Sequence, residues 1–114
     1  MSMTVASLVS ESHRIARSKG WWENPDKNVG ELLALVHSEI SEALEVYRDY
    51  GVEGLSKSWL EADGKPEGFT IELADAIIRI ADLCGGFGLN LEEALETKMS
   101  FNKSRPYRHG NKKA

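Results

Sequence analysis

The chain has 114 residues, a formal net charge of −4, and 28% charged residues against 41% hydrophobic ones. This length fits one compact domain, and the acidic balance argues against a nucleic-acid polymer as partner, because such binding relies on a basic surface. The single cysteine, Cys84, excludes a disulfide framework and a multi-cysteine zinc site.

No apolar run approaches the ~20 residues of a membrane span, and the first residues lack the apolar core of a signal peptide. We therefore expect a cytoplasmic protein without a membrane partner. We assign residues 1–110 to one all-α domain and residues 111–114 to a basic tail that is disordered.

Hydrophobic periodicity predicts four helices and no strand, with the helices at residues 3–19, 28–50, 69–84 and 90–105. Each predicted helix is bounded by a capping or helix-breaking residue. These boundary residues are Gly20, Asn28, Gly51, Gly85, Gly86, Gly88, Asn90 and Pro106.

The first connection, residues 21–28, begins with two tryptophans, Trp21 and Trp22. Adjacent side chains cannot both point the same way, so we expect one to plug the core and the other to be exposed. An alternative role for one of them is to stack on a nucleobase, because an indole offers a large π face.

The second connection, residues 51–68, contains four glycines and one proline. We expect Trp59 and Leu60 to anchor it as a short helical turn. Connections of this length are usually lids, subunit contacts or disordered segments, and composition does not distinguish these three roles.

The third predicted helix is apolar almost all round. Its charged residues fall within an arc of roughly 80° on the helical wheel: Glu72, Asp75, Arg79 and Asp82. The pattern predicts a helix packed on most sides, with one acidic face directed at water, a cation or a ligand. We also considered Asp82 as a further ligand or as the partner of Arg79.

A second acidic pair lies on the helix at 28–50. Glu39 falls inside its apolar half and Glu42 at the edge of that half. The pairs Glu39/Glu42 and Glu72/Asp75 are each spaced i, i+3, so the two carboxylates of a pair can share one cation. If the helices pack side by side, four carboxylates converge. Oxygen ligands without His or Cys favour Mg²⁺, with Mn²⁺ as the alternative.

The fourth predicted helix places Lys98, Asn102 and Arg105 inside its apolar arc. Facing a carboxylate-bound cation, these side chains would bind phosphate oxygens, a combination typical of a polyphosphate site. The alternative is a helical bundle in which Lys98 and Arg105 form ion pairs with the acidic face and no metal binds.

Two other chemistries are disfavoured by the pattern. Carboxylate-bridged di-iron bundles use Glu-x-x-His ligand pairs, and the sequence contains none. Nucleophilic catalysis is disfavoured because Cys84 lies in an apolar run, away from any patterned histidine.

Three blocks of sequence together resemble the all-α MazG-like nucleotide pyrophosphohydrolases: HSEISEALE at 37–45, PEGFTIELADAIIRIADL at 66–83 and KMSFNKSRPYRHG at 98–110. The resemblance implies a four-to-five-helix bundle that forms an obligate homodimer or homotetramer. It implies Mg²⁺-dependent hydrolysis of a nucleoside triphosphate to the monophosphate and pyrophosphate, as in house-cleaning of the nucleotide pool.

The resemblance also implies roles for individual residues. The metal ligands would be Glu39, Glu42, Glu72 and Asp75, and the substrate contacts would be Lys98, Asn102 and Arg105, with Trp21 or Trp22 on the base. Many members carry a further glutamate where this chain has Ser38. The general base is therefore either Glu39 or a hydroxide on the metal, which needs no protein base. A competing hypothesis is a non-catalytic helical module with an interaction or regulatory role.

Overall fold

The computed structural model describes residues 3–108, and these form four helices and one β-hairpin. The elements are α1 (Val5–Ser18), α2 (Val29–Tyr50), β1 (Ser58–Leu60), β2 (Pro66–Gly68), α3 (Phe69–Gly86) and α4 (Leu91–Ser104), with a 3₁₀ turn at Val52–Gly54. The prediction of a mainly helical fold is confirmed. The predicted tail at 111–114 lies outside the described residues. Within residues 3–108, no helix combines the length and the apolar character that a membrane crossing requires.

Side-chain caps fix the starts of the helices as the sequence predicts for α2 and α4. Asn28 accepts the backbone N–H of Glu31 at 3.0 Å, and Asn90 accepts that of Glu93 at 3.0 Å. Each bond satisfies one of the N–H groups that the first helical turn leaves without a partner. The positions of α2 and α4 along the chain are therefore determined locally.

The predicted end of the third helix is wrong, because α3 continues through Gly85 and Gly86. A Cβ added at Gly85 would lie 2.6 Å from the Cβ of His13, and one added at Gly86 would lie 2.1 Å from the ring of Trp22. These two glycines therefore permit close packing of α1 and of the first connection against α3, and they do not end the helix.

The second connection forms a hairpin instead of the predicted helical turn. β1 and β2 pair antiparallel, with Trp59 opposite Glu67, and Trp59 packs on Tyr50 with 5.3 Å between ring centroids. The turn between the strands is closed by Asp63, which accepts the N–H of Lys65 at 3.0 Å. Since β2 ends where α3 begins, the hairpin is placed directly beside the acidic end of α3.

The helices pack around α3, which contacts α1 on one side and α2 on another, while α4 contacts α1. The residues of the core are small, namely Ala43, Ala76, Ala81 and Cys84. The prediction that α3 is packed on most sides is not met within one chain, because its side chain Ile77 is 52% exposed. Large apolar side chains of three helices are also exposed: Leu33, Ile40, Leu44, Tyr47, Ile78, Ile80, Leu95, Met99 and Phe101.

Candidate metal centre

Three of the four predicted carboxylates meet where α2 packs against α3. Glu39 from α2 and Glu72 and Asp75 from α3 each offer an oxygen, and these oxygens all lie within 4.8 Å of one another. Glu72 and Asp75 share a face because they are spaced i, i+3, and the helix pairing brings Glu39 against that face. We call these three residues the carboxylate cluster.

Glu72 is the most buried member of the cluster, with 6% of its surface exposed. Its carboxyl group lies within hydrogen-bond reach of the carboxylate of Glu67, so that protonated Glu72 can donate to Glu67. Burial raises the pKa of Glu72 to about 7, and the contact with Glu67 and the charges of Glu67, Asp75 and Glu39 add to the increase. A buried carboxylate in this setting must take up a proton or a cation.

The ionised form of Asp75 is also disfavoured by its surroundings. Burial raises its pKa, and the nearby charge of Glu39 raises it further, while the positive charge of Arg79 lowers it. The cluster therefore carries more negative charge than its surroundings neutralise. Closely spaced carboxylate oxygens with unbalanced charge are suited to a hard divalent cation such as Mg²⁺ or Mn²⁺.

Arg79 contacts the cluster, a contact that the sequence did not predict. Its Nε donates to Oε1 of Glu39 at 2.7 Å, and the Glu39 side chain is only 13% exposed. Asp82, which we had considered as the partner of Arg79, instead accepts hydrogen bonds from Trp22 at 2.8 Å and from His13 Nδ1 at 3.0 Å.

Glu67 is a further acidic neighbour of the cluster that sequence reasoning missed. It lies on β2, forms an ion pair with Lys65 at 3.0 Å, and contacts the carboxylate of Glu72. Helical spacing gave no signal for it, because its position depends on the hairpin that places it next to the first turn of α3.

Glu42 is not brought into the cluster. Its side chain is exposed, and the group of three carboxylates that lie within 4.8 Å does not include it. This placement agrees with its position at the edge of the apolar half of α2. In a single chain, the pair Glu39/Glu42 therefore contributes only Glu39 to the carboxylate cluster.

Of the three predicted phosphate-binding residues, Lys98 and Asn102 lie on α4 and Arg105 directly follows it, and α4 packs on α1. Among residues 3–108, no side-chain hydrogen bond or ion pair joins Lys98, Asn102 or Arg105 to the carboxylates. Lys98 and Arg105 instead lie over the ring of Phe101, at 5.1 Å and 5.5 Å from its centroid. The prediction that these side chains point inward is wrong for the single chain, since no residue of α4 is buried.

The two tryptophans have different surroundings, as expected. Trp22 is held by its hydrogen bond to Asp82, and its ring packs edge to face on His13 and Phe87 at 4.9 Å and 5.8 Å between centroids. Trp21 is 69% exposed. A cavity of about 590 Å³ lies beside Trp22 and is lined by residues 24–28, Gly86 and Phe87.

The nucleophilic chemistry that the sequence disfavours is also disfavoured by the surroundings of Cys84. Its side chain is buried, and burial raises the pKa of its thiol, so that the reactive thiolate is suppressed. Among the described residues, the carboxylate cluster is therefore the group best suited to chemistry.

The geometry of the cluster would allow its three carboxylates to share one cation. Comparison of the chain with models of protein families, with curated proteins and with solved structures finds no match.

Proposed function

We propose that the chain is a Mg²⁺-dependent nucleoside triphosphate pyrophosphohydrolase, which releases pyrophosphate and a nucleoside monophosphate. The observation that carries the proposal is the carboxylate cluster with Glu72 buried at its centre. Glu72 is only 6% exposed, and its ionised carboxylate would lie beside those of Glu67, Asp75 and Glu39, an arrangement that a bound cation would stabilise. The resemblance of residues 37–45, 66–83 and 98–110 to MazG-like enzymes supplies the reaction class.

In this proposal, Glu39, Glu72 and Asp75 hold the cation, and Mn²⁺ is an acceptable substitute for Mg²⁺. The bound Mg²⁺ would neutralise charge on the triphosphate and acidify a water molecule. Water attacks phosphorus, the bond to the pyrophosphate oxygen breaks, and a proton must leave the attacking water. Glu39 would accept this proton, unless the metal supplies hydroxide directly and no protein base is needed.

Nucleoside binding is assigned to the first connection. Asp82, which anchors Trp22, follows Asp75 by two turns of α3, or roughly 10 Å along the helix axis. The cavity beside Trp22 borders the C-terminal end of α3 at Gly86, roughly 16 Å along the helix axis beyond Asp75. Trp22 or the exposed Trp21 would provide the apolar face for the base.

The proposal includes a homodimer or homotetramer in which a second copy completes the site. The chain exposes 8840 Å², whereas a folded monomer of this mass is expected to expose about 6,200 Å². The apolar side chains of α2, α3 and α4 account for a large part of the uncovered surface. Because Lys98, Asn102 and Arg105 do not reach the cluster in their own chain, we assign them to the site of a neighbouring copy.

The test combines metal binding with turnover. Binding of Mn²⁺ is measured by electron paramagnetic resonance, and release of pyrophosphate is assayed on a panel of ordinary and modified NTPs and dNTPs with Mg²⁺. Glu72→Gln should lose both properties. Glu45→Gln, which removes an exposed carboxylate from the far face of α2, is the matched control and should retain both.

If the protein binds no Mn²⁺ and releases no pyrophosphate from any nucleotide, the enzymatic proposal is wrong. The competing hypothesis of a non-catalytic helical module would then be preferred. Binding of Mn²⁺ without hydrolysis would instead keep the metal centre and reject the reaction.

A further inference from the structure

We infer that Arg79 binds the phosphate chain of the substrate from within the same chain that holds the metal, an inference that rests on the proposed pyrophosphohydrolase function. Arg79 was not among the residues that the sequence pattern assigned to phosphate binding. Four observations support the role: its position on α3, its unused donors, its contact with Glu39 and the charge of its surroundings.

The position of Arg79 directs its side chain at the carboxylate cluster. It follows Asp75 by four residues on α3, and therefore lies on the same face one turn further along. Side chains on a helix lean towards its N-terminus, which brings the guanidinium of Arg79 back over Asp75. The helix thus presents two carboxylates and one cation in a single row.

Only part of the guanidinium is used inside the chain. Nε donates to Glu39, whereas among residues 3–108 neither terminal nitrogen of Arg79 forms a hydrogen bond or an ion pair. A guanidinium has five N–H donors, so four remain for a ligand. The side chain is 43% exposed, which means that these donors are accessible from solvent.

The contact with Glu39 is compatible with metal binding by that carboxylate. A carboxylate has two oxygens and about four lone-pair sites, so one oxygen can accept from Arg79 while the other binds a cation. Arg79 would then fix the orientation of a metal ligand and contact the substrate at the same time. Its Nε–Oε1 bond of 2.7 Å sets the guanidinium plane relative to the cluster.

The charge of the surroundings makes such a cation necessary. A triphosphate that approaches Glu39, Glu72, Asp75 and Glu67 meets four carboxylates, and Lys65 is already paired with Glu67. A guanidinium matches two phosphate oxygens with two parallel hydrogen bonds, which a lysine ammonium does not do. Arg79 is thus suited to hold the phosphate chain and to neutralise charge that develops on the pyrophosphate.

The experiment compares Arg79→Met, Arg79→Lys and the wild type in three measurements. These are binding of Mn²⁺ to the protein alone, inhibition by pyrophosphate in the presence of Mg²⁺, and kcat/KM for the best nucleotide of the panel. Arg14→Met is the matched control, because it removes an exposed arginine that pairs with Glu11 at 3.0 Å on α1.

We expect Arg79→Met to bind Mn²⁺ at least as tightly as the wild type, since a competing positive charge is removed. Its kcat/KM should fall about 100-fold, which is the size expected for the loss of one charged contact to the transition state. Its inhibition constant for pyrophosphate should rise about tenfold or more, as expected for the loss of a charge-assisted contact. Arg79→Lys keeps the positive charge next to Glu39 and should therefore fold and bind Mn²⁺. Its affinity for pyrophosphate should fall about tenfold, because an ammonium lacks the two parallel N–H donors of the planar guanidinium.

The outcomes separate this inference from the proposed function. If the wild type hydrolyses nucleotides and Arg79→Lys and Arg79→Met both match it in kcat/KM and in pyrophosphate inhibition, the role of Arg79 is wrong and the proposed function stands. If the wild type neither binds Mn²⁺ nor releases pyrophosphate, both are wrong. If Arg79→Met fails to fold, the role of Arg79 is judged from the kcat/KM and the pyrophosphate inhibition of Arg79→Lys relative to the wild type.

Discussion

The carboxylate of Glu72, buried in the first turn of α3, lies against the carboxylate of Glu67 at the end of the hairpin. The two groups can share a hydrogen bond while Glu72 is protonated, and they repel each other when both are ionised. Ionisation of Glu72 therefore costs the folded state free energy. Such a cost is expected at a site that binds a cation.

The first prediction concerns the pH dependence of stability without metal. The pKa of Glu72 is raised from 4.5 to about 7 in the folded protein, so the folded state binds more protons than the unfolded state between these values. This group should therefore lower the free energy of unfolding as pH rises from 4.5 to 7, by up to about 3 kcal/mol, with solvent screening reducing the effect.

Urea unfolding between pH 4.5 and pH 8, at one protein concentration and with chelator, measures this effect. Glu72→Gln should flatten the decline, and addition of Mg²⁺ to the wild type should restore stability above pH 7. An unchanged pH profile in Glu72→Gln would contradict the assignment of the raised pKa to this residue.

The second prediction concerns Glu39. Glu39→Gln should reduce pyrophosphate release by about 100-fold or more, because a metal ligand is lost. The free energy of unfolding should change by no more than about 1 kcal/mol. Arg79, the ion-pair partner of Glu39, is 43% exposed and can be hydrated when the pair is lost. Circular dichroism and thermal unfolding report the fold. Full turnover in Glu39→Gln, or wild-type turnover that persists in chelator, would be inconsistent with the metal centre.

The third prediction tests completion of the site by a second copy. Lys98→Ala should raise KM or lower kcat/KM for triphosphates, and Glu72→Gln should be inactive. If the sites form between chains, a mixed dimer of the two variants has one doubly altered site and one intact site. Refolding them together at equal amounts should recover about a quarter of wild-type activity.

If each chain builds its whole site alone, the same mixture should show no more activity than its Lys98→Ala chains have by themselves. Unchanged kinetics in Lys98→Ala would remove that residue from the site altogether. Sedimentation of the wild type provides the necessary control, because a monomer at working concentration would leave the exposed side chains of α2, α3 and α4 without the partner that we propose.

The fourth prediction concerns Gly86, where helix propensity and packing oppose each other. Alanine normally stabilises a helix by about 1 kcal/mol relative to glycine. Here its Cβ would lie 2.1 Å from the ring of Trp22, so we expect Gly86→Ala to be destabilising by about 1–3 kcal/mol. In Gly30→Ala the new Cβ meets only Oδ1 of the capping residue Asn28, at 3.1 Å, so this variant is a control with a much smaller steric conflict.

Thermal unfolding of both variants decides between the two effects. Stabilisation of Gly86→Ala similar to that of Gly30→Ala would mean that Trp22 does not pack on α3 as described. The double variant Gly86→Ala with Trp22→Ala should lose less stability than the sum of the two single variants, because the clash is absent once the ring is removed.

The elements predicted correctly from sequence are those specified by local patterns. Periodicity located the four helices, Asn28 and Asn90 cap two of them as expected, and the apolar setting of Glu39 singled out a residue that now lies in the carboxylate cluster. Local spacing was sufficient for Glu72 and Asp75 because both are on one helix.

The features that sequence reasoning missed depend on contacts between distant parts of the chain. The continuation of α3 through Gly85 and Gly86 is understood only from the packing of His13 and Trp22. Glu67 reaches Glu72 because a hairpin forms. The sequence pattern predicted that one face of α4 is buried against the other helices, whereas no residue of α4 is buried in a single chain.

The hairpin also determines where the chain tolerates engineering. Gly68 has φ 142°, and a Cβ there would lie 2.6 Å from the carbonyl oxygen of Lys57, so the entry into α3 accepts no other residue without strain. Gly64, at the opposite end of the hairpin, has nothing within 4 Å of a new Cβ, although its φ of 87° favours glycine. A fluorescent label or a peptide epitope is therefore best inserted at this turn, where it would report on movements of the acidic end of α3 without displacing it.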